Sequence, residues 1–206
     1  MGQLGSLLQD GGYVVWVLLV ISVVALAIVI VKQWQFARVR PESNDGIESA
    51  LKLWRAGDRQ SAIDALSDDG RFGSDIVLFA MQGRQNGDWE TNALQDELER
   101  QGSLKLRDLR TYLPALEVIG MLSPLLGLLG TVLGMIDAFQ AMELAGNEVD
   151  PATLSGGIWQ ALLTTAVGLV IAIPALAVFN WMDHKVQRVA AKLDDAITQV
   201  FTSAGP

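Results

Sequence analysis

Three threonine hydroxyls occupy the middle of two long apolar segments, where side chains able to contact an ion are rare. Thr131 belongs to the segment 113–136, and the adjacent Thr164 and Thr165 belong to the segment 158–182. A buried threonine often donates to a carbonyl of its own helix one turn back, which is a purely structural role. Because similar hydroxyls occur at similar depth on two segments, we expect the two helices to face each other and to form a narrow polar ion path.

Two further polar residues lie near the ends of these segments. Glu117 lies about one turn inside its segment, and an intramembrane carboxylate indicates function because burying its charge is costly. It can serve ion entrance or exit, or it can pair with Arg110 or Lys185. Gln160 lies one turn before Thr164, and its amide donates and accepts hydrogen bonds without titrating. Since no Asp or Glu occupies the middle of an apolar segment, the carboxylate for proton flow is expected from another polypeptide.

The composition excludes several kinds of chemistry. The 206 residues contain no cysteine and one histidine, so thiolate nucleophiles, disulfides, zinc–cysteine sites and histidine-rich metal sites are excluded. No P-loop, GxSxG or HExxH motif occurs, so we expect neither an enzyme nor a metal or cofactor site. A net charge of −8 and a pI of about 4.6 argue against general nucleic-acid binding.

Three segments are long and apolar enough to cross a bilayer core, which needs about 20 residues. They are 13–31, 113–136 and 158–182. Tyr13, Trp16 and Trp34 flank the first segment as interfacial aromatics do. Its length and an acidic N-terminal stretch argue against a cleaved signal peptide. The third segment contains Pro174, which predicts a kink.

The basic residues predict the orientation. All fifteen Lys and Arg lie within 32–110 or 185–192, whereas 1–12 and 137–157 contain none. Lys and Arg are retained on the cytoplasmic side of membranes. We therefore predict an external N-terminus (1–12), a cytoplasmic helical domain (32–112), an external loop (137–157) and a cytoplasmic tail helix (183–206).

Helical spacing of apolar residues predicts helices on the cytoplasmic side. A short hairpin is expected around a break at Gly57 and Asp58, and 89–109 is expected to continue the second span as a stalk. The tail is expected to pack on this stalk through one apolar side, formed by Val186, Val189, Leu193, Ile197 and Val200.

Small residues recur at steps of three and four on the second and third segments. Such residues let helix backbones approach closely, which is a main source of helix affinity in lipid. They serve packing within the chain, or a partner interface as well. The residues concerned are Gly120, Pro124, Gly127, Gly130 and Gly134 on the second segment, and Gly157, Ala161, Gly168, Ala172 and Pro174 on the third.

Two of these stretches resemble a known family. PLLGLLGTVLGMI over 124–136, followed by Ala138 and Phe139, resembles the MotA/TolQ/ExbB proton-channel family. So does GIWQALLTTAVGL over 157–169, with AIPA over 172–175 and Asn180. The order and spacing match the ExbB/TolQ branch, and MotA-type flagellar stators normally have four spans rather than three.

The resemblance implies an all-α integral membrane protein with three transmembrane helices and long cytoplasmic helical extensions, assembled as a ring, normally a pentamer. It implies a bacterial inner-membrane location and a central pore holding two copies of an ExbD- or TolR-like single-span partner. The partner's aspartate would carry the proton, with Thr131 and Thr165 facing it. Ion flow would then do work on a TonB- or TolA-like protein for outer-membrane transport.

One position departs from the family pattern. Many ExbB and TolQ members have a glutamate where Gln160 stands, so this chain lacks a titratable group there. Either that glutamate is dispensable, or this chain uses another entrance or another ion, sodium included. An ExbB-like motor is favoured, with a TolQ-like motor for envelope integrity or a MotA-like stator as alternatives within the family. The alternative from a different class is a non-conducting membrane scaffold.

Overall fold

The structure, a computed structural model, describes residues 12–39, 45–87, 89–145 and 151–203, with the side chains of 145 and 151–153 left aside. Its regular structure over these ranges is entirely α-helical. The helices are α1 (Gly12–Val39), α2 (Asp45–Arg55), α3 (Arg59–Ser67), α4 (Ser74–Asn86), α5 (Thr91–Arg110), α6 (Leu113–Ala145) and α7 (Pro151–Thr202).

Three of these helices, α1, α6 and α7, are long and apolar enough to cross a membrane. The prediction of an all-α chain with three such helices is confirmed. Each helix extends beyond the predicted apolar segment, to Val39, Ala145 and Thr202 respectively. The extensions 32–39, 137–145 and 183–202 contain no Gly or Pro, so no residue type that ends helices interrupts them.

These extensions change two predicted elements. The predicted loop 137–157 is helical over 137–145 and 151–157, and its remaining residues, 146–150, lie outside the described ranges. The tail 183–206 is not a separate helix, because α7 continues from the third apolar segment through to Thr202. The predicted external N-terminus 1–12 lies outside the described ranges except for Gly12.

The chain divides into two compact units. The first, here called the membrane unit, comprises the described residues up to Val31 and the range Tyr112–Trp181. The second, here called the polar unit, comprises Lys32–Thr111 and the described residues from Met182 onward, and it contains all fifteen Lys and Arg. The divisions fall within one residue of the predicted ends of the apolar segments.

The predicted continuous stalk between 89 and the second span is wrong. Helix α5 ends at Arg110 and α6 begins at Leu113, with Tyr112 between them at a φ of 68°. Positive φ is uncommon for a residue with a Cβ and is incompatible with a continuing right-handed helix. The backbone therefore breaks where one unit gives way to the other.

Within the polar unit, apolar residues at helical spacing form one core, as predicted. Trp54 is buried there, and its indole Nε1 donates to the Val200 carbonyl at 3.2 Å. Leu94 and Leu98 of α5 lie in the same core as Leu193 of α7, which confirms that the tail packs on α5. The predicted break is also confirmed: Gly57 has a φ of 87°, and the Asp58 side chain caps α3 by accepting from the Ser61 amide.

The end of α1 is tied to the end of α5 inside the polar unit. The fully buried Lys32 Nζ donates to the Leu109 carbonyl at 2.7 Å and to Gln35 Oε1 at 2.6 Å. Gln35 Nε2 in turn donates to the Asp108 carbonyl at 3.5 Å. The last carbonyls of a helix lack partners within the helix, and cationic donors are favourable there. Lys32 and Gln35 therefore cap α5 from another helix.

Candidate ion pathway

In the membrane unit, α6 and α7 bury faces made of small residues at steps of three and four. On α6 the buried small residues are Gly120, Ser123, Gly127, Gly130, Gly134 and Ala138; on α7 they are Ala161, Thr164, Gly168, Ala172 and Ala175. The leucines at 122, 125, 129 and 133, which the periodicity placed away from this face, are exposed. Close helix packing through small residues is the usual solution in a membrane.

Gly127 and Gly168 lie where the two helices are in close contact around the threonine pair. A Cβ added to Gly127 would lie 2.8 Å from the Thr164 carbonyl oxygen and 3.0 Å from Thr165 Cα. One added to Gly168 would lie 2.5 Å from the Ser123 carbonyl oxygen. Backbone therefore meets backbone here, and no larger side chain fits without separating the helices.

The two adjacent threonines converge on one carbonyl oxygen. Thr164 Oγ1 lies 3.1 Å and Thr165 Oγ1 lies 3.2 Å from the Gly127 oxygen on the facing helix. Thr164 Oγ1 also lies 2.7 Å from the Ala161 oxygen of its own helix. Thr164 is 2% exposed, whereas Thr165 is only half-buried. The buried hydroxyl is thus held inside the helix pair, and the half-buried one lies at its margin.

Thr131 lies one helical turn beyond Gly127 and is also half-buried. Its Oγ1 donates to the Leu128 carbonyl at 2.7 Å, so its donor satisfies its own helix. Over the described residues no hydrogen bond joins Thr131 to Thr165, but both lie next to Gly127. A hydroxyl whose proton is donated keeps lone pairs that accept a proton donor or contact a cation.

Gln160 lines a cavity of about 170 Å³ inside the membrane unit, bounded by all three of its helices. Its Nε2 lies close to the start of α1, because a Cβ added to Gly12 would be 3.0 Å away from it. The polar or close-packed residues lining the cavity include Tyr13, Gly130, Gly134, Asp137, Gln160 and Thr164. Asp137, which lines this cavity and is itself exposed, was not predicted as a site residue.

Glu117 is half-buried in the first turns of α6. The membrane unit, to which Glu117 belongs, contains no Lys, Arg or His in its sequence. Arg110, one of its two predicted partners, instead pairs with Asp183 at 3.6 Å inside the polar unit. The described residues also contain no group of three or more Asp, Glu or His able to hold a metal ion.

The other predicted packing residues fall into two sets. A Cβ added to Gly120, Gly130, Gly134 or Gly157 would lie between 2.5 and 3.3 Å from a side chain of the facing helix, so these glycines pack directly. Ala161 and Ala172 are buried with them. Pro124 is half-buried beside this contact, and Pro174 is exposed on the wall of a groove between α1 and α7. Of the predicted packing residues of α6, only Pro124 is not fully buried, and its neighbour Ser123 is buried in its place.

Known proteins share this chain's sequence over most of its length. The profile of the MotA/TolQ/ExbB proton channel family matches residues 73–195, which include α6 and nearly all of α7. The "Putative biopolymer transport protein ExbB-like 3" of Synechocystis is 30% identical over 171 residues, 82% of this chain and 80% of that protein.

More distant or shorter matches agree with this result. The "Biopolymer transport protein exbB1" of Vibrio cholerae is 42% identical over 85 residues, 41% of this chain. That match covers 37% of the Vibrio protein, so the chain aligns with little more than a third of it. The "Putative biopolymer transport protein ExbB homolog" of Methanothermobacter thermautotrophicus is 23% identical over 199 residues, 97% of this chain and 67% of that protein.

Proposed function

Because the chain belongs to the MotA/TolQ/ExbB proton channel family, in its ExbB/TolQ branch, we propose that it is the ring subunit of an ion-driven motor. In this proposal five copies surround two ExbD- or TolR-like single-span chains in the bacterial inner membrane. The N-terminus is periplasmic and the C-terminus is cytoplasmic, in line with the distribution of Lys and Arg. Ion flow performs work on a TonB- or TolA-like protein for outer-membrane transport.

The observation that carries the proposal is the convergence of Thr164 and Thr165 on the Gly127 carbonyl, with Thr131 one turn away. These groups supply hydroxyl and carbonyl oxygens but no carboxylate. They can therefore contact a passing ion, but they do not take up and release a proton as a carboxylate does. A partner that inserts a carboxylate beside Thr131 and Thr165 completes the path. One charge falling through 100 mV then releases about 2.3 kcal/mol for mechanical work.

We assign different roles to the three threonines. Thr131 and Thr165, which are half-buried, face the pore and the partner's carboxylate. Thr164, which is buried between the helices, does not face the pore and shares the Gly127 carbonyl with Thr165. Glu117, which is half-buried in the first turns of α6, serves ion exit at the cytoplasmic end.

Exposed leucines on α6 are consistent with a ring. Leu122, Leu125 and Leu129 are each about half exposed in a single chain. An exposed apolar face in a membrane contacts lipid or a second copy of the chain. In the proposed pentamer, part of this face contacts a neighbouring copy. The rest remains against the bilayer.

The experiment combines composition and flux. The full chain is co-expressed with its adjacent single-span protein, and the complex is weighed by native mass spectrometry and reconstituted into liposomes. We expect a complex of several copies of this chain with two partner chains, and this complex should conduct cations. Thr131→Ala and Thr165→Val should abolish the cation flux and leave the number of subunits in the complex unchanged. Thr198→Val, a substitution on the exposed side of the α7 tail, is the matched control. Full flux in both pore variants would refute the proposed path.

The non-conducting scaffold is the second candidate, and the amide of Gln160 favours it because this side chain does not titrate. It predicts the same assembled mass but no flux above empty liposomes. A complex that conducts excludes the scaffold. A chain that forms a stable homo-oligomer and never takes up a single-span partner excludes the motor.

A further inference from the structure

The cavity beside Gln160 has the features of an ion vestibule built inside one subunit. It holds about 170 Å³, which is room for several water molecules, and Asp137, Gln160 and Thr164 supply polar groups to its wall. A polar cavity of this size is a plausible water site, whereas apolar cavities stay dry. We propose that this cavity is the external entrance of the ion path and that Asp137 is its charged group. The inference rests on the proposed function.

The charge of Asp137 has no counter-ion in its own unit. The sequence of the membrane unit, 1–31 and 112–181, contains no Lys, Arg or His at all. Asp137 is exposed while it lines the cavity, and a carboxylate beside a cleft with no compensating base attracts small cations and raises their local concentration. The ligand class is therefore a small monovalent cation, either a proton carried by water or a sodium ion.

The groups facing Asp137 across the cavity do not compete with it for this role. Helix α1 contributes the phenol of Tyr13, and α7 contributes the neutral side chains of Gln160 and Thr164. Asp137 is therefore the one carboxylate among the residues that line this cavity. The neutral amide of Gln160 lines the same space as this carboxylate.

The cavity also leads to the threonines. Thr164 lines it, and the Oγ1 of Thr164 lies 3.1 Å from the Gly127 carbonyl that Thr165 also reaches. A cation or a water chain entering beside Asp137 and Gln160 therefore arrives at the atoms assigned to the ion path. The entrance lies within one chain, so it exists in every copy of a ring.

The first test needs no flux and no partner. Because the chain contains no cysteine, Gln160→Cys places one thiol in the cavity, and Leu162→Cys places one on an exposed apolar surface two residues away. Both variants, in nanodiscs, are reacted with a cationic and with an anionic methanethiosulfonate. We expect Gln160→Cys to react far faster than Leu162→Cys and to favour the cationic reagent. Adding Asp137→Asn should reduce that preference roughly tenfold.

Two results would overturn the vestibule. One is a Gln160→Cys thiol as unreactive as Leu162→Cys, and the other is a cation preference that Asp137→Asn leaves unchanged. Leu133→Cys, a second position on the cavity wall, replaces Gln160→Cys if that variant does not fold.

Flux through the reconstituted complex is the second test. We expect Asp137→Asn to lower flux at low external cation concentration and Asp137→Glu to restore it, with proton and sodium gradients applied separately to identify the ion. If the wild-type complex conducts and Asp137→Asn conducts identically under both gradients, the vestibule is refuted and the motor stands. If the wild-type complex does not conduct, the motor fails, and the thiol reactivities alone decide whether the cavity is a charged water site.

Discussion

The hydroxyl of Thr165 lies 3.2 Å from the carbonyl oxygen of Gly127 on the facing helix, and at Gly127 the backbones of the two helices are also in close contact. The helix contact and the candidate ion path therefore share the same atoms. In the proposed path, packing and conduction depend on the same atoms, so substitutions must be chosen to change one without the other. The glycines allow such a choice, because an added Cβ would meet backbone atoms of the facing helix at Gly127 but no atom within 4 Å at Gly156.

Gly127→Ala is expected to weaken the α6–α7 contact. The new methyl group would meet backbone atoms at 2.8 and 3.0 Å, which cannot rotate away as a side chain can. Overpacking of this kind costs about 1–3 kcal/mol. Thermal unfolding of the full chain in detergent, followed by circular dichroism, measures the loss. Gly156→Ala, where an added Cβ meets nothing within 4 Å, should unfold at or above the wild-type temperature. Equal unfolding of both variants would show that the close contact is absent.

Thr164→Val and Thr165→Val are expected to separate packing from conduction. The nearly isosteric change removes the buried hydroxyl of Thr164 and should cost about 0.6 kcal/mol of stability, the average for interhelical hydrogen bonds in membranes, and at most about 1.7 kcal/mol. Thr165→Val should abolish flux with a smaller effect on unfolding, since its hydroxyl is half-buried at the margin. Both variants are measured by detergent unfolding and by liposome flux. The assignment is reversed if Thr164→Val stops flux while Thr165→Val only destabilises the chain.

Lys32→Met is expected to destabilise the polar unit. It removes the donor that reaches the Leu109 carbonyl at 2.7 Å, and a buried carbonyl without a partner costs about 1–3 kcal/mol. Lys52→Met, at an exposed position of α2, is the control and should change stability by less than about 0.5 kcal/mol. The measurement is the denaturant midpoint of the full chain. Coinciding midpoints for Lys32→Met and wild type would mean that the cap contributes nothing.

Asp69 is expected to make the polar unit sensitive to acid. Burial by itself raises the pKa of the Asp69 carboxyl. The carboxylate accepts hydrogen bonds from Arg71 Nε at 2.7 Å and from Ser74 Oγ at 3.0 Å, and these lower the pKa by more than burial raises it. The pKa of Asp69 therefore lies below its ordinary value of 3.8. Because the folded-state pKa is lowered, the stabilisation is present above the unfolded-state pKa and is lost as the pH falls through the folded-state pKa.

The corresponding measurement is stability against pH. Asp69→Asn should be less stable than wild type at neutral pH, and the difference should shrink as the pH falls below about 4. Asp68→Asn, at the exposed neighbouring position, should follow the wild-type profile at every pH. A constant gap between Asp69→Asn and wild type across this range would contradict the linkage.

The spacing of apolar residues along the sequence was sufficient to predict the helices of the polar unit. The spacing of Ile47, Leu51 and Trp54 is a property of a single helix, so it can be read without knowing what the helix packs against. The ends of α6 and α7 were missed for a related reason. Hydropathy marks where apolar residues stop, whereas a helix ends where its backbone hydrogen bonds stop, and nothing in 137–145 or 183–202 interrupts them.

The break at Thr111 and Tyr112 could not be predicted, because neither residue type ends helices and the cap on Leu109 comes from Lys32, 77 residues earlier in the chain. The pairing of Gly127 with Thr165 is similar, since the two residues are 38 positions apart. Such contacts depend on how each helix is rotated about its axis when two faces meet.

The sequence by itself determined the class of this protein: three apolar helices, the confinement of its basic residues to the segments between and after them, the small-residue faces and the family motifs. All of these depend on composition and on the repeat of one helix. Only the tertiary structure decided that Thr164 is buried while Thr165 is half-buried, and that Asp137 faces Gln160 across a cavity. The physical reason is that a few tens of degrees of helix rotation exchange one small residue for its neighbour at the contact. The rotation of each helix about its axis is determined by how closely the two backbones can pack, and the spacing of apolar residues in the sequence does not determine it.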